Sequence, residues 1–200
     1  MAEVNMTVLS EEETDILQEI MNIAFGKAAG DLAELIDIYV VLSVPYIKVI
    51  KVTDLPDYLK NEIKEYKDVS IVEQKYWGKF KGEALLIFPA GAGRELIMLI
   101  DPDRNLSYQS DPIDVLERET LMEIGNILIG ACVGKIAELL KDSVTYTPPR
   151  VILEDSPLDA ISYEQLNPEY YVILLKTVFQ FKEQDINGFL FLITSHASID

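Results

Sequence analysis

The sequence predicts an α/β (α+β) protein: a six-stranded, largely antiparallel sheet with two long helices on one face. The two halves are related by an internal pseudo-twofold. Three observations lead there. The segments fall in the order helix–strand–strand–strand, short helix, linker, helix–strand–strand–strand. EIMNIAFGKAAGDLAEL (19–35) lies over EIGNILIGACVGKIAEL (123–139) at an offset of 104, with nine of seventeen positions identical. The same offset separates Pro45 from Pro149, and it drifts only to 106 between Gly82 and Gly188. A shared helical pattern would match Leu, Ile and Ala; it would not match Glu, Asn, Gly and Pro at one offset. The repeat is therefore a duplication, with halves 10–100 and 112–200. At 200 residues the chain fits one domain spanning 1–200.

Each element has a local cause. Ser10 followed by Glu13 fits a capping box, and Glu11, Glu12 and Glu13 sit favourably on a helix N-terminus. Leu17, Ile20, Ala24, Ala28, Leu32 and Leu35 then recur at helical spacing, with an end near Asp37. IYVVLSVPYIKVIKV is β-branched and reads as a strand, at an edge or broken at Pro45. DLPDYLKNEIKEY (54–66) reads as a polar loop with room for a helical turn. VSIVEQKYW and GEALLIFPA read as strands joined around Gly78–Gly82. GAGR (91–94) lacks the phosphate-loop spacing and opens a short helix to Ile100. DPDRNLSYQSDP (101–112) is a linker with two Asp-Pro breakers. A second long helix runs from about Pro112 to Lys141, followed by a strand with two prolines, VTYTPPRVILE. The loop SPLDAISYEQLNPE and two more strands, YYVILLKTVFQFK and NGFLFLITS, complete the order.

Composition excludes several functions. Half the residues, 49%, are hydrophobic, enough for a sizeable core, while 17 basic against 34 acidic side chains give a net charge of −17. A phosphate backbone and an anionic bilayer would both be repelled, so neither nucleic acid nor membrane insertion is expected. The longest apolar run, Ile38 to Ile47, is ten residues, with Ser43 and Pro45 inside it, well short of a membrane span. The N-terminal MAEVNMTVLSEEE has neither a basic nor an apolar leader region, so a secretory signal is not expected. One cysteine, Cys132, forbids an internal disulfide and suits a reducing cytoplasm. It sits in an apolar helical stretch and reads as core. His196, the one histidine, argues against a His-based zinc site or a Ser-His-Asp triad. It reads as a terminal surface residue, and Tyr76 and Trp77 as the close of a strand.

The polar side of the two long helices carries the chemistry. Asp15, Glu19, Asn22 and Gly26 are spaced to share one face of the first helix; Glu119, Glu123, Asn126 and Gly130 repeat that face in the second. Asn and Gly are poor helix formers, and both recur at matched positions. A single such face is ordinarily just solvated, and Asn can hydrogen-bond a neighbouring turn. Read functionally, the glycines would admit a closely approaching partner. Asn is a weak base, but its carboxamide can hold a water in line with an electrophile, as the glutamine of small GTPases does. The Glu can bind a cation on a partner protein. Such a site suits a substrate already activated, for instance an acyl phosphate on a protein.

Asp15-x3-Glu19-x2-Asn22-x22-Pro45 resembles the signature of the CheC/CheX/FliY family of chemotaxis phosphatases, and Glu123-x2-Asn126-x22-Pro149 resembles it a second time. The string EIGNILIG (123–130) is typical of CheC, and two motifs in two halves favour CheC over single-motif CheX. A FliY reading would need an appended flagellar-switch domain, for which no residues are expected to remain. The resemblance implies dephosphorylation of a phosphorylated CheY-like response regulator in the cytoplasm. It implies that Asn22 and Asn126 orient the attacking water and that Glu19 and Glu123 pair with a lysine of the regulator. Asp15, Glu119, Gly26, Gly130, Pro45 and Pro149 form the motif periphery. No metal or cofactor of its own is implied, because the regulator brings Mg²⁺ with its acyl phosphate. Glu119 stands where the family has Ser or Asp, and Met21 replaces the Gly that Gly125 retains. The alternative is a non-catalytic module that docks a receiver domain or a CheD-like deamidase.

Overall fold

The computed structural model describes residues 9–36, 39–66, 68–79, 81–100, 113–152, 171–181 and 186–195. Helix α1 (Glu11–Ile36) begins at the expected capping box. Ser10 N–H donates to Glu13 Oε2 at 2.7 Å and Glu13 N–H to Ser10 Oγ at 3.2 Å. Strands β1 (Val40–Leu42) and β2 (Tyr46–Lys51) follow, then a 3-10 turn (Val52–Asp54) and helix α2 (Leu55–Glu62). Strands β3 (Val69–Trp77) and β4 (Gly82–Pro89) precede α3 (Ala92–Ile100). The second half comprises α4 (Ile113–Leu139), β5 (Thr145–Tyr146), β6 (Arg150–Ile152), β7 (Tyr171–Phe181) and β8 (Ile186–Ser195). The expected linker 101–112, the loop 156–169 and His196 lie outside the described residues, as do the side chains of Leu32 and Leu35.

All strand pairs are antiparallel, in the order β1-β7-β8-β4-β3-β5, with β2 also on β7 and β6 also on β3. The eight strands thus occupy six lanes. Each outer lane is one predicted strand broken in two, at Ser43–Pro45 and at Thr147–Pro149, because proline cannot donate to the ladder. The outer lanes are exchanged. β1 and β2, from the first half, lie on β7 of the second, and β5 and β6, from the second half, lie on β3 of the first.

The pseudo-twofold reaches single hydrogen bonds. Ser43 N–H donates to Val178 O at 2.9 Å and Val178 N–H to Ser43 Oγ at 3.0 Å. At the matching break Thr147 N–H donates to Lys75 O at 2.9 Å and Lys75 N–H to Thr147 Oγ1 at 3.1 Å. Gly82 and Gly188 match too: a Cβ on either would lie 2.1 Å from a carbonyl oxygen, of Ile193 and of Ile87 respectively. Only glycine lets the two central lanes come together at these points.

Alternation along the strands gives the sheet two covered faces. Val72, Tyr76, Leu86, Phe88, Leu175, Phe179, Leu190 and Leu192 form one core with Met21, Ala24, Phe25 and Ala28 of α1 and Leu121, Ile124, Leu128 and Cys132 of α4. Ile71, Leu85, Ile87, Leu174, Phe191 and Ile193 form the other with Leu55 and Leu59 of α2 and with Ile63. That second cover corrects the loop expected at 54–66. Leu55, Leu59 and Ile63 are spaced i, i+4, i+8, and Pro56 starts the helix where a missing N–H costs nothing. Helix α4 contains a stretch, Val115–Leu139, long and apolar enough to cross a membrane, with mean hydropathy 1.4. Leu121, Ile124, Leu128, Ile129, Cys132, Val133 and Ile136 of this stretch are buried in the core.

Candidate functional site

The two motif helices pack side by side. On α1 the side chains of Asp15, Glu19 and Asn22 are exposed, as is Gly26; on α4 Glu119, Glu123 and Asn126 are exposed and Gly130 is half-buried. A Cβ on Gly26 or Gly130 would meet nothing within 4 Å, so space there is open to an approaching partner. The predicted stripes therefore stand clear of the core. The apolar residues between them, Met21 and Ala24 on α1 and Leu121, Ile124 and Leu128 on α4, are buried.

The prolines are brought to the helices by the breaks in the outer lanes. Pro45 is buried, and its carbonyl accepts a hydrogen bond from Gln18 Nε2 at 3.1 Å, which ties the break to α1 beside Glu19. At the second site Arg118 Nη1 reaches Val151 O at 2.6 Å and Tyr146 Oη reaches Gly130 O at 3.4 Å. These contacts fix the loop carrying Pro149 against α4.

A residue outside the motif joins the second site. Gln74 on β3, which is 2% exposed, donates from Nε2 to Asn126 Oδ1 and to Thr147 O, each at 2.9 Å. Thr177 takes the matching place at the first site, donating from Oγ1 to Ser43 O at 2.6 Å. Sequence spacing gave no sign of Gln74, which is 52 residues from Asn126. In the structure Gln74 and Thr177, 103 residues apart, hold equivalent places on β3 and β7.

Behind the second site, on the opposite face of β3 and β4, lies a charged cluster. Arg150, next to the motif proline, donates from Nε to Glu73 Oε2 at 2.7 Å, with Nη2 on the same oxygen. Burial works against charge on Glu73, but a hydrogen bond from Glu83 and the guanidinium outweigh it and hold that carboxyl below its ordinary range. Burial, reinforced by the neighbouring Glu73 carboxylate, pushes Glu83 up to about 8. Cys132 is fully buried, and burial pushes its thiol up to about 12. Among the described residues no three His, Cys, Asp or Glu side chains converge as a metal site.

Comparison with known proteins agrees with this geometry. The family model described as CheC-like matches residues 12–49 and 116–153, two segments separated by the same offset of 104. The CheY-P phosphatase CheC of Bacillus subtilis is 24% identical over 202 residues, covering 96% of this chain and 92% of that protein. The crystal structure of Thermotoga maritima FliY superposes with a TM-score of 0.69 at 20% identity, covering 96% of this chain and 94% of that one. The CheX–CheY–BeF3–Mg²⁺ complex of Borrelia burgdorferi gives a TM-score of 0.50 at 16% identity, over 86% of this chain and 97% of that one. With two copies of the motif on two equivalent exposed helix faces, a segment in each half matched by the CheC-like family model and the fold of FliY, the chain resembles the CheC/CheX/FliY family of chemotaxis proteins.

Proposed function

We propose that the chain hydrolyses the aspartyl phosphate of a CheY-like receiver domain at two sites, centred on Asn22 and Asn126. The observation that carries this reading is the recurrence of an exposed Glu-x-x-Asn pair on each motif helix, beside open space at Gly26 and Gly130. Similar proteins include a CheY-P phosphatase, by sequence, and a CheX protein bound to CheY, by fold.

Each Asn supplies a neutral carboxamide that orients a water on the acyl phosphate, and each Glu pairs with a cation of the receiver. Asp15 and Glu119 add negative charge one turn earlier and strengthen that docking. The positive charge that phosphoryl transfer needs comes from the receiver, as Mg²⁺ and a lysine at its own phosphorylation site, because a chain of net charge −17 is a poor source of it. The division of labour belongs in the cytoplasm, where receiver domains are phosphorylated.

The test is phosphate release from an acyl-phosphorylated receiver with and without this protein. Acceleration supports the reading, together with no hydrolysis of acetyl phosphate by the chain alone. A receiver that binds and keeps its phosphate would leave only a docking module.

A further inference from the structure

The carboxamide of Asn126 has its orientation set by Gln74. The carbonyl of Thr147 can only accept a hydrogen bond, so Gln74 must present its NH₂ group there. The same NH₂ group meets Asn126, which must answer with its oxygen. Because the amide carbon is trigonal, the Nδ2 donors of Asn126 then point away from Gln74. Gln74 Oε1 is buried without a hydrogen-bond partner among the described residues. An unsatisfied buried carboxamide oxygen is costly, and an apolar residue would avoid that cost.

The first site lacks this arrangement. Thr177 replaces Gln74; its hydroxyl keeps the bond to the loop, at Ser43 O, and is too short to serve the helix as well. The helices also differ where they meet the sheet. A Cβ on Gly125 would lie 2.6 Å from Val72 Cγ1, so α4 rides close on β3. In α1 the matching position holds Met21, whose buried side chain fills that space. Close approach at Gly125 is what brings Asn126 within reach of Gln74.

We infer that Gln74 is the positioning residue of the second site, holding Asn126 with its Nδ2 donors outward, and that Asn22 has no such restraint. The kinetic consequence rests on the phosphatase reading; the orientation does not.

Two measurements separate these. In ¹⁵N-labelled protein the Asn126 side-chain amide should be rigid by heteronuclear NOE and that of Asn22 mobile. Gln74→Leu should release Asn126 and leave Asn22 unchanged. An Asn126 amide as mobile as that of Asn22 in the parent protein would overturn the assignment, whatever the activity. Kinetics are then run with one site at a time. In an Asn22→Ala background, Gln74→Leu should lower kcat about three- to tenfold, the worth of one neutral hydrogen bond, at unchanged KM. In an Asn126→Ala background, the rate of the first site should not change. Equal losses in both backgrounds, or a loss confined to KM, would reduce Gln74 to a structural residue. Inactivity of both backgrounds would overturn the phosphatase reading and leave the NMR result standing.

Discussion

Lys135 Nζ lies 2.9 Å from Asp31 Oδ2, and these two residues occupy the same position in the two halves. Where an internal twofold passes between two elements, a residue meets its own copy. Identical charges would repel there; divergence after duplication has made the pair complementary. Hydrogen bonds to Asp31 and Glu138 raise the pKa of Lys135. Asp31→Lys should lower Tm slightly by calorimetry, and Asp31→Lys with Lys135→Asp should restore it. Both differences should shrink at high salt.

Replacing both asparagines tests the chemistry directly. Asn22→Ala with Asn126→Ala should reduce receiver dephosphorylation by about 10²–10³, the cost of losing a positioned polar group. Ala is the better helix former, and Gln74 keeps its bond to Thr147, so far-UV circular dichroism and Tm should hold. A double variant working at the parent rate would remove water positioning from the mechanism.

Glu19 and Glu123 should act in docking. Glu19→Gln with Glu123→Gln should raise the Kd for the receiver, and the difference from the parent should narrow as ionic strength rises. Titration calorimetry at two salt concentrations reads this. A salt-independent fall in kcat alone would contradict it.

The charged cluster behind the second site predicts the pH dependence of stability. The pKa of Glu83 is raised in the fold to about 8 from an ordinary 4.5, so the folded state holds a proton the unfolded chain releases. Its contribution is complete below pH 4.5, declines as pH rises and levels off above about 8. The steepest slope is roughly 1.4 kcal/mol per pH unit. Glu73, held low, acts in the separate window below its ordinary value, where acid removes its stabilisation. The other charged groups at the cluster are Arg150 and Lys75. Urea melts across pH 5–9 should therefore show a decline, about 1.4 kcal/mol per unit at most, that Glu83→Gln flattens.

Gly125→Ala should cost about 1–3 kcal/mol, because the new methyl meets Val72 Cγ1 and the close seat of α4 on β3 must open. Gly130→Ala, in open space, should leave stability equal or improved. Chemical denaturation of the two variants gives the comparison.

Much of this was legible in the sequence. The repeat, both helices, the capping box at Ser10 and the breaks at the prolines came from spacing and local chemistry, and the motif faces emerged exposed. Helix α2 was misjudged because its eight residues are polar apart from one short stripe, whose value depends on the sheet face it covers. Gln74 and the Glu73–Glu83 pair were out of reach for another reason. Strand alternation says only that neighbours such as Glu73 and Gln74 face opposite ways. Which face carries the helices, and which half supplies the outer lane, is decided by long-range pairing, such as Trp77 with Thr145 and Val40 with Phe181.

The exchange of outer lanes has a consequence for ancestry. A chain ending after α3 would own a motif helix and a proline loop, but the strand that receives that loop lies in the other half. Two copies of such a chain could complete each other by trading edges, each supplying what the other lacked. In this chain the two halves make that trade with each other inside one molecule. The two faces nevertheless differ: the second has Gln74 and Gly125 where the first has Thr177 and Met21.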